Sequence, residues 1–225
     1  MMIKSKLKEN WLLKKIPHGT FNKTIALIFL QFIGTNLYLH DFFQAHSWMP
    51  ASGEEVFKKH EYWRLWTTLF THADATHILS NMVLFFPFAY FLIGFYGSVF
   101  FPLFGFLVGG LTNLVVLKTM PENVHLVGVS GVVYWMGAAW ITLATLINRH
   151  EKSSKRILKA LGVSAILFIP ETYQPEVSYL THFVGFIAGV SSALIYYFWK
   201  REEFKSAEKH EWFFEEDFSE DGALY

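Results

Sequence analysis

The chain has 225 residues, of which 52% are hydrophobic, 19% aromatic and 17% charged; its formal net charge is zero and its mean hydropathy is positive. This composition points to a bilayer-resident protein, and a balanced charge argues against a protein built around a basic face for nucleic acid. Having no cysteine, the chain can form no disulfide, thiolate metal site or cysteine nucleophile, so any nucleophile is a hydroxyl or a carboxylate.

Residues 1–23 form a basic segment carrying Lys4, Lys6, Lys8, Lys14, Lys15 and Lys23. The apolar run that follows, Thr24 to His40, lacks a small-residue cleavage site, so it reads as a retained first helix. Asp41 to Thr76 is a long outer loop, and loops of that length are functional or disordered. Within it Trp63, Trp66 and Phe70 recur at the spacing of a short helix lying in the interface.

Between Asp74 and Lys118 there is no Asp, Glu, Lys or Arg, and these 43 residues are enough for two helices of about 20 residues across ~30 Å of hydrocarbon. "GFYGS", Gly94 to Ser98, is the expected hinge between them. Asn123 to Asn148 supplies a fourth helix and Val177 to Trp199 a sixth. The fifth, "ILKALGVSAILFIP" from Ile157 to Pro170, rises only about 21 Å, which requires Lys159 to snorkel and an irregular end. Residues 200–225 hold nine of the nineteen acidic residues and read as a solvated cytoplasmic tail, with a short helix around Trp212.

With the N-terminus inside, fifteen of the nineteen lysines and arginines fall on inner segments and only Lys58, Lys59, Arg64 and Lys118 on outer ones. The expectation is therefore an all-α polytopic bundle: a six-helix membrane domain over residues 24–199, its outer loop at 41–76, and both termini cytoplasmic. A compact six-helix core with no transit peptide suits the bacterial cytoplasmic membrane.

In that topology the second, fourth and sixth helices all enter from outside, so their N-terminal ends share one depth. Those ends carry "HILSN" from His77, "GVSG" around Ser130, and "SYLTHFVGFIAGV", which contains His182. His77 and Asn81 lie four apart on one face. Taken alone, "GVSG" is more often a packing face than a nucleophile, and a membrane histidine is often a hydrogen-bonded packing group. His72 and His125 fall in loops, where structural or solvent roles are expected.

The coincidence changes the balance. A serine hydroxyl needs an adjacent base, and His182 supplies one if the fourth and sixth helices touch. Gly128 and Gly131 beside Ser130, with the Gly185/Gly189 face below His182, permit close backbone approach. Tyr134 lies one turn below Ser130, within reach of the imidazole or of an ordinary aromatic core. All nineteen carboxylates lie outside the spans, so no Asp or Glu is available to orient His182 from within the membrane. The same fact weighs against a proton-coupled transporter and an aspartyl protease, and there is no "HExxH" for a zinc protease.

"WRL" at Trp63, "HILSN" at His77, "GVSGVVY" at Gly128 and "HFVGFIAG" at His182 occur in the order and helix positions of the rhomboid intramembrane serine proteases, and the chain resembles that family over about Trp63 to Gly189. The resemblance implies a Ser130–His182 dyad, with His77, Asn81 and the Ser130 backbone N–H as oxyanion donors. Trp63 and Arg64 become supporting residues. It implies cleavage of transmembrane protein substrates near the outer leaflet, in a lipid bilayer, with no metal, cofactor or nucleic acid. Many members carry an acidic residue near the inner end of the second helix, whereas "FLIGFYGS" has none. A cleavable substrate helix must unwind, which favours helix-breaking residues near the cut. The fifth helix and "PETYQP", Pro170 to Pro175, are the candidate gate. The alternative is a catalytically silent rhomboid-like binding or remodelling factor, which would tolerate loss of Ser130.

Overall fold

The computed structural model describes residues 2–168 and 179–215. In chain order it contains β1 (Met2–Glu9), α1 (Thr20–Leu39), α2 (Ala45–Trp48), α3 (Arg64–Thr67), α4 (Ala75–Ser98), α5 (Gly105–Leu117), α6 (Ser130–Ile147), α7 (Ser153–Phe168), α8 (Tyr179–Ser206) and β2 (Lys209–Glu215). Among the described residues the regular structure is thus helical apart from one two-stranded ribbon and an isolated bridge.

Among the described residues three stretches are long and apolar enough to cross a membrane: Ala75–Leu117, Ser130–Ile147 and Tyr179–Ser206. Thr20–Leu39 joins them when taken with Phe42–Trp48, from which it is bent by 103°. The first stretch has 43 residues, about twice what one crossing needs, and it is broken. Gly97 adopts φ 85°, which only glycine reaches without strain, and Phe101 is extended between wide helical turns. The hinge therefore lies where "GFYGS" placed it, and its turns shorten α5 to 13 residues. With 16 residues, about 24 Å of rise, α7 is too short to span by itself. The expected fifth helix began at Ile157; α7 begins four residues earlier, and Pro170 to Pro175 lies outside the described residues.

The core is built around α6, which packs against α4, α5, α7 and α8 and is buried from Gly131 to Ala139. Its tightest neighbour is α8. A Cβ at Gly185 would stand 2.3 Å from the Gly131 carbonyl oxygen, and one at Gly189 would stand 2.4 Å from that of Trp135. Two bare backbones meet here, which is how small residues bring helices together where lipid offers no hydrophobic drive. One turn further along, the Trp135 indole N–H donates to Ser192 Oγ at 3.1 Å.

The outer loop is folded, not disordered. Arg64, 4% exposed, donates to the Ser47 carbonyl (2.5 Å), the Pro50 carbonyl (2.9 Å) and the Glu61 carboxylate (2.5 Å). Ala51 and Leu126 exchange backbone hydrogen bonds, the Thr68 hydroxyl donates to the Leu126 carbonyl, and Gly128 N–H donates to the Thr68 carbonyl at 3.1 Å. The Trp66 ring lies on Gly110 of α5, and Asn113 of α5 donates to the Leu65 carbonyl at 2.9 Å. The loop thereby fixes the segment that leads into α6.

At the far end of the bundle the chain departs from expectation. The tail does not form a helix around Trp212: β2 pairs antiparallel with β1, Trp212 opposite Ser5. Lysines at 4, 6 and 8 recur with the period of a strand, a pattern that a solvated basic segment conceals. Asn10 Nδ2 donates to Asn148 Oδ1 (3.0 Å), the Trp11 indole donates to the Phe95 carbonyl (2.9 Å), and Arg149 forks onto Glu208 at 2.8 and 3.0 Å. Both terminal segments are thus tied to the bundle.

Candidate active site

Ser130 is the first residue of α6, half-buried, and the N-cap residue Val129 gives no side-chain cap. The first N–H groups of this helix are therefore left for another acceptor, and the helix end favours negative charge. Thr181 of α8 stands at the same level: a Cβ on Gly131 would lie 2.8 Å from Thr181 Cγ2.

Next to Thr181 is His182, 4% exposed, whose ring stacks on that of Tyr134 with centroids 3.9 Å apart and planes 18° from parallel. Both its ring nitrogens are buried and without a hydrogen-bond partner among the described residues. Buried side-chain nitrogens are paired in the large majority of cases. This imidazole is therefore held by packing alone, with its proton-accepting capacity unused, beside the helix end that carries the serine. No hydrogen bond joins Ser130 Oγ to the imidazole in this arrangement.

The third wall is α4. Asp74 caps it, its carboxylate accepting from His77 N–H at 2.8 Å, and so sets where the helix starts. Gly128 has φ 115°, and a Cβ there would lie 3.0 Å from His77 Cε1 and 3.1 Å from Nε2. Glycine is required on both counts, and the His77 ring edge consequently rests on the backbone two residues before Ser130. Asn81, 4% exposed, donates one N–H to the His77 carbonyl at 3.0 Å and retains a second.

Ser130, Gly131, Tyr134, His182 and Gly185 thus meet at one helix contact, with His77 reached through Gly128 and Asn81 one turn below His77. Gly189 serves the same α6–α8 contact one turn further in. Trp63 and Arg64 do not join this cluster: Trp63 is 51% exposed, and the Arg64 guanidinium is spent on the outer loop.

Thr35 of α1 carries no signal in the sequence. Its hydroxyl lies 2.8 Å from Nδ1 of His72, a loop imidazole that is fully buried and set edge-on to His77 with centroids 5.0 Å apart. Burial first, and the neighbouring His77 second, push the His72 pKa down to about 3, so this ring stays neutral at any working pH. His125 instead lies at the surface, 3.2 Å from Glu55.

A protein-family model described as the Rhomboid domain matches residues 59–199. No curated protein matches the chain.

Proposed function

Because the chain belongs to the rhomboid family, we propose that it is an intramembrane serine endopeptidase that cleaves transmembrane segments of membrane proteins, with Ser130 and His182 as its dyad. One observation carries this reading: a buried imidazole with both nitrogens unpartnered beside a serine on an uncapped helix N-terminus. Buried imidazoles kept for packing are paired at one nitrogen or both in most cases, as His72 is through Thr35; His182 has neither nitrogen paired among the described residues.

Ser130 Oγ attacks the scissile carbonyl as His182 takes the hydroxyl proton; His182 then returns it to the leaving amine, and water hydrolyses the acyl-enzyme by the same route. The Ser–His hydrogen bond forms as substrate fills the site, since such bonds tighten in the reactive complex. The oxyanion accepts from the Ser130 N–H, the free N–H of Asn81 and the His77 ring. Losing one such donor costs about 3 kcal/mol of barrier, ~100-fold in rate.

The membrane arrangement belongs to the same proposal. Residues 24–199 form the membrane domain, crossing six times, with α4 and α5 as separate passes. The termini, residues 1–23 and 200–225, lie in the cytoplasm of a bacterial cell, and the Ser130 end faces outward. Cleavage then falls near the outer leaflet, in segments carrying Gly, Pro or other helix breakers.

The test is reconstitution in liposomes with such a transmembrane substrate. Cleavage is expected, abolished by Ser130→Ala and by His182→Ala, with Ser130 labelled by a serine-reactive phosphonate. Cleavage that persists in the serine variant rejects the mechanism, and an intact chain that neither cleaves nor labels favours a silent binding factor.

A further inference from the structure

Preorganised donors stabilise an oxyanion only if they are already in place when charge develops. His77 stands on the first turn of α4 and is half-buried, so two side-chain torsions must be held for its N–H to stay aimed. On one side the ring meets Gly128. On the other stands His72, fully buried, its ring at 81° to that of His77.

His72 is itself anchored from α1. Thr35 is 2% exposed, and its hydroxyl lies 2.8 Å from His72 Nδ1 and 3.4 Å from the Phe70 carbonyl. One proton assignment uses every donor in this chain: His72 Nδ1–H donates to Thr35 Oγ1, and the Thr35 O–H donates to the Phe70 carbonyl. That leaves on His72 only the Nε2 lone pair, which is buried and without a partner among the described residues. The anchor point cannot drift, because α1 is pressed onto the loop: a Cβ on Gly34 would lie 2.6 Å from both Phe70 Cβ and the Phe70 carbonyl oxygen.

We propose that His72, tethered by Thr35, is a positioning residue that fixes the His77 imidazole against Gly128 for its role as an oxyanion donor. The inference rests on the protease reading above. It gives α1, which contributes none of the groups assigned to the reaction, a direct hold on the site.

Thr35→Val keeps the shape of the side chain and removes the tether; His72→Phe keeps a ring against His77 and removes the same bond. In liposomes, each is expected to lower kcat on the order of tenfold, less than outright loss of a donor, with KM held within about twofold. A fold defect common to the whole site would not confine itself to His77. Phosphonate labelling of Ser130, which accumulates even when turnover is slow, is therefore repeated in a His77→Ala background. There Thr35→Val is expected to change the labelling rate by less than about twofold, because the group it positions is gone. The inference is overturned if both variants leave kcat within about twofold of the parent while cleavage still requires Ser130, or if Thr35→Val slows labelling equally with and without His77. Cleavage surviving Ser130→Ala overturns the protease reading and this inference together.

Discussion

The behaviour of His182 depends on what its nitrogens lack. Among the described residues no carboxylate orients the ring, so the Tyr134 face at 3.9 Å has to do so, and such a stack is worth about 1 kcal/mol beyond its buried area. Converted at RT, that is roughly a fivefold change in the population of the correctly turned ring. Tyr134→Phe should keep kcat within about twofold, and Tyr134→Ala should lower it fivefold or more with the substrate KM little changed; steady-state cleavage in liposomes measures both. The spacing of Ser130 and Tyr134 was readable in the sequence, because i and i+4 share a helix face. Whether the ring meets an imidazole or an ordinary core aromatic was not, because that depends on how closely a helix about fifty residues later approaches. Thr35 and His72 lay further out of reach. A threonine in an apolar helix and a histidine in a loop have no periodicity that ties them together.

For the helices, the α6–α8 contact decides whether the site exists. Gly185→Ala would drive a methyl into the Gly131 carbonyl, which is backbone and has no rotamer to yield. The helices must separate, at a cost of about 1–3 kcal/mol for such overpacking, and Ser130 must part from His182. The variant should lose phosphonate labelling and melt lower. Gly162 of α7 is the matching control: nothing lies within 4 Å of a Cβ there, so Gly162→Ala should label normally and gain up to about 1 kcal/mol from helix propensity. The "GxxxG" spacing announced this contact in the sequence. The tail strand went unannounced because its partner lies some two hundred residues away in the basic N-terminal segment, and acidic composition read locally suggests only solvation. The short α5 was equally hidden, since charge-free windows mark where a chain can cross but not where its helix breaks.

At the scale of the whole molecule, the proposed topology sets the α5–α6 loop and the α6–α7 loop on opposite sides of the bilayer. A chain without cysteine is well suited to checking this. Asn123→Cys and Lys152→Cys both fall at exposed positions. In intact cells an impermeant maleimide should label the first and spare the second, and the reverse pattern would invert the orientation. Composition and charge by themselves determined that this is a helical membrane protein, and four short motifs determined its family, because burial in lipid and reactive chemistry each demand particular residue types in a particular order. What only the tertiary structure decided is how those residues meet. The stacking of Tyr134 on His182, the seating of His77 between Gly128 and His72, and the joining of the two termini all depend on contacts between distant segments. Such contacts are set by the approach of one backbone to another, which no local pattern records.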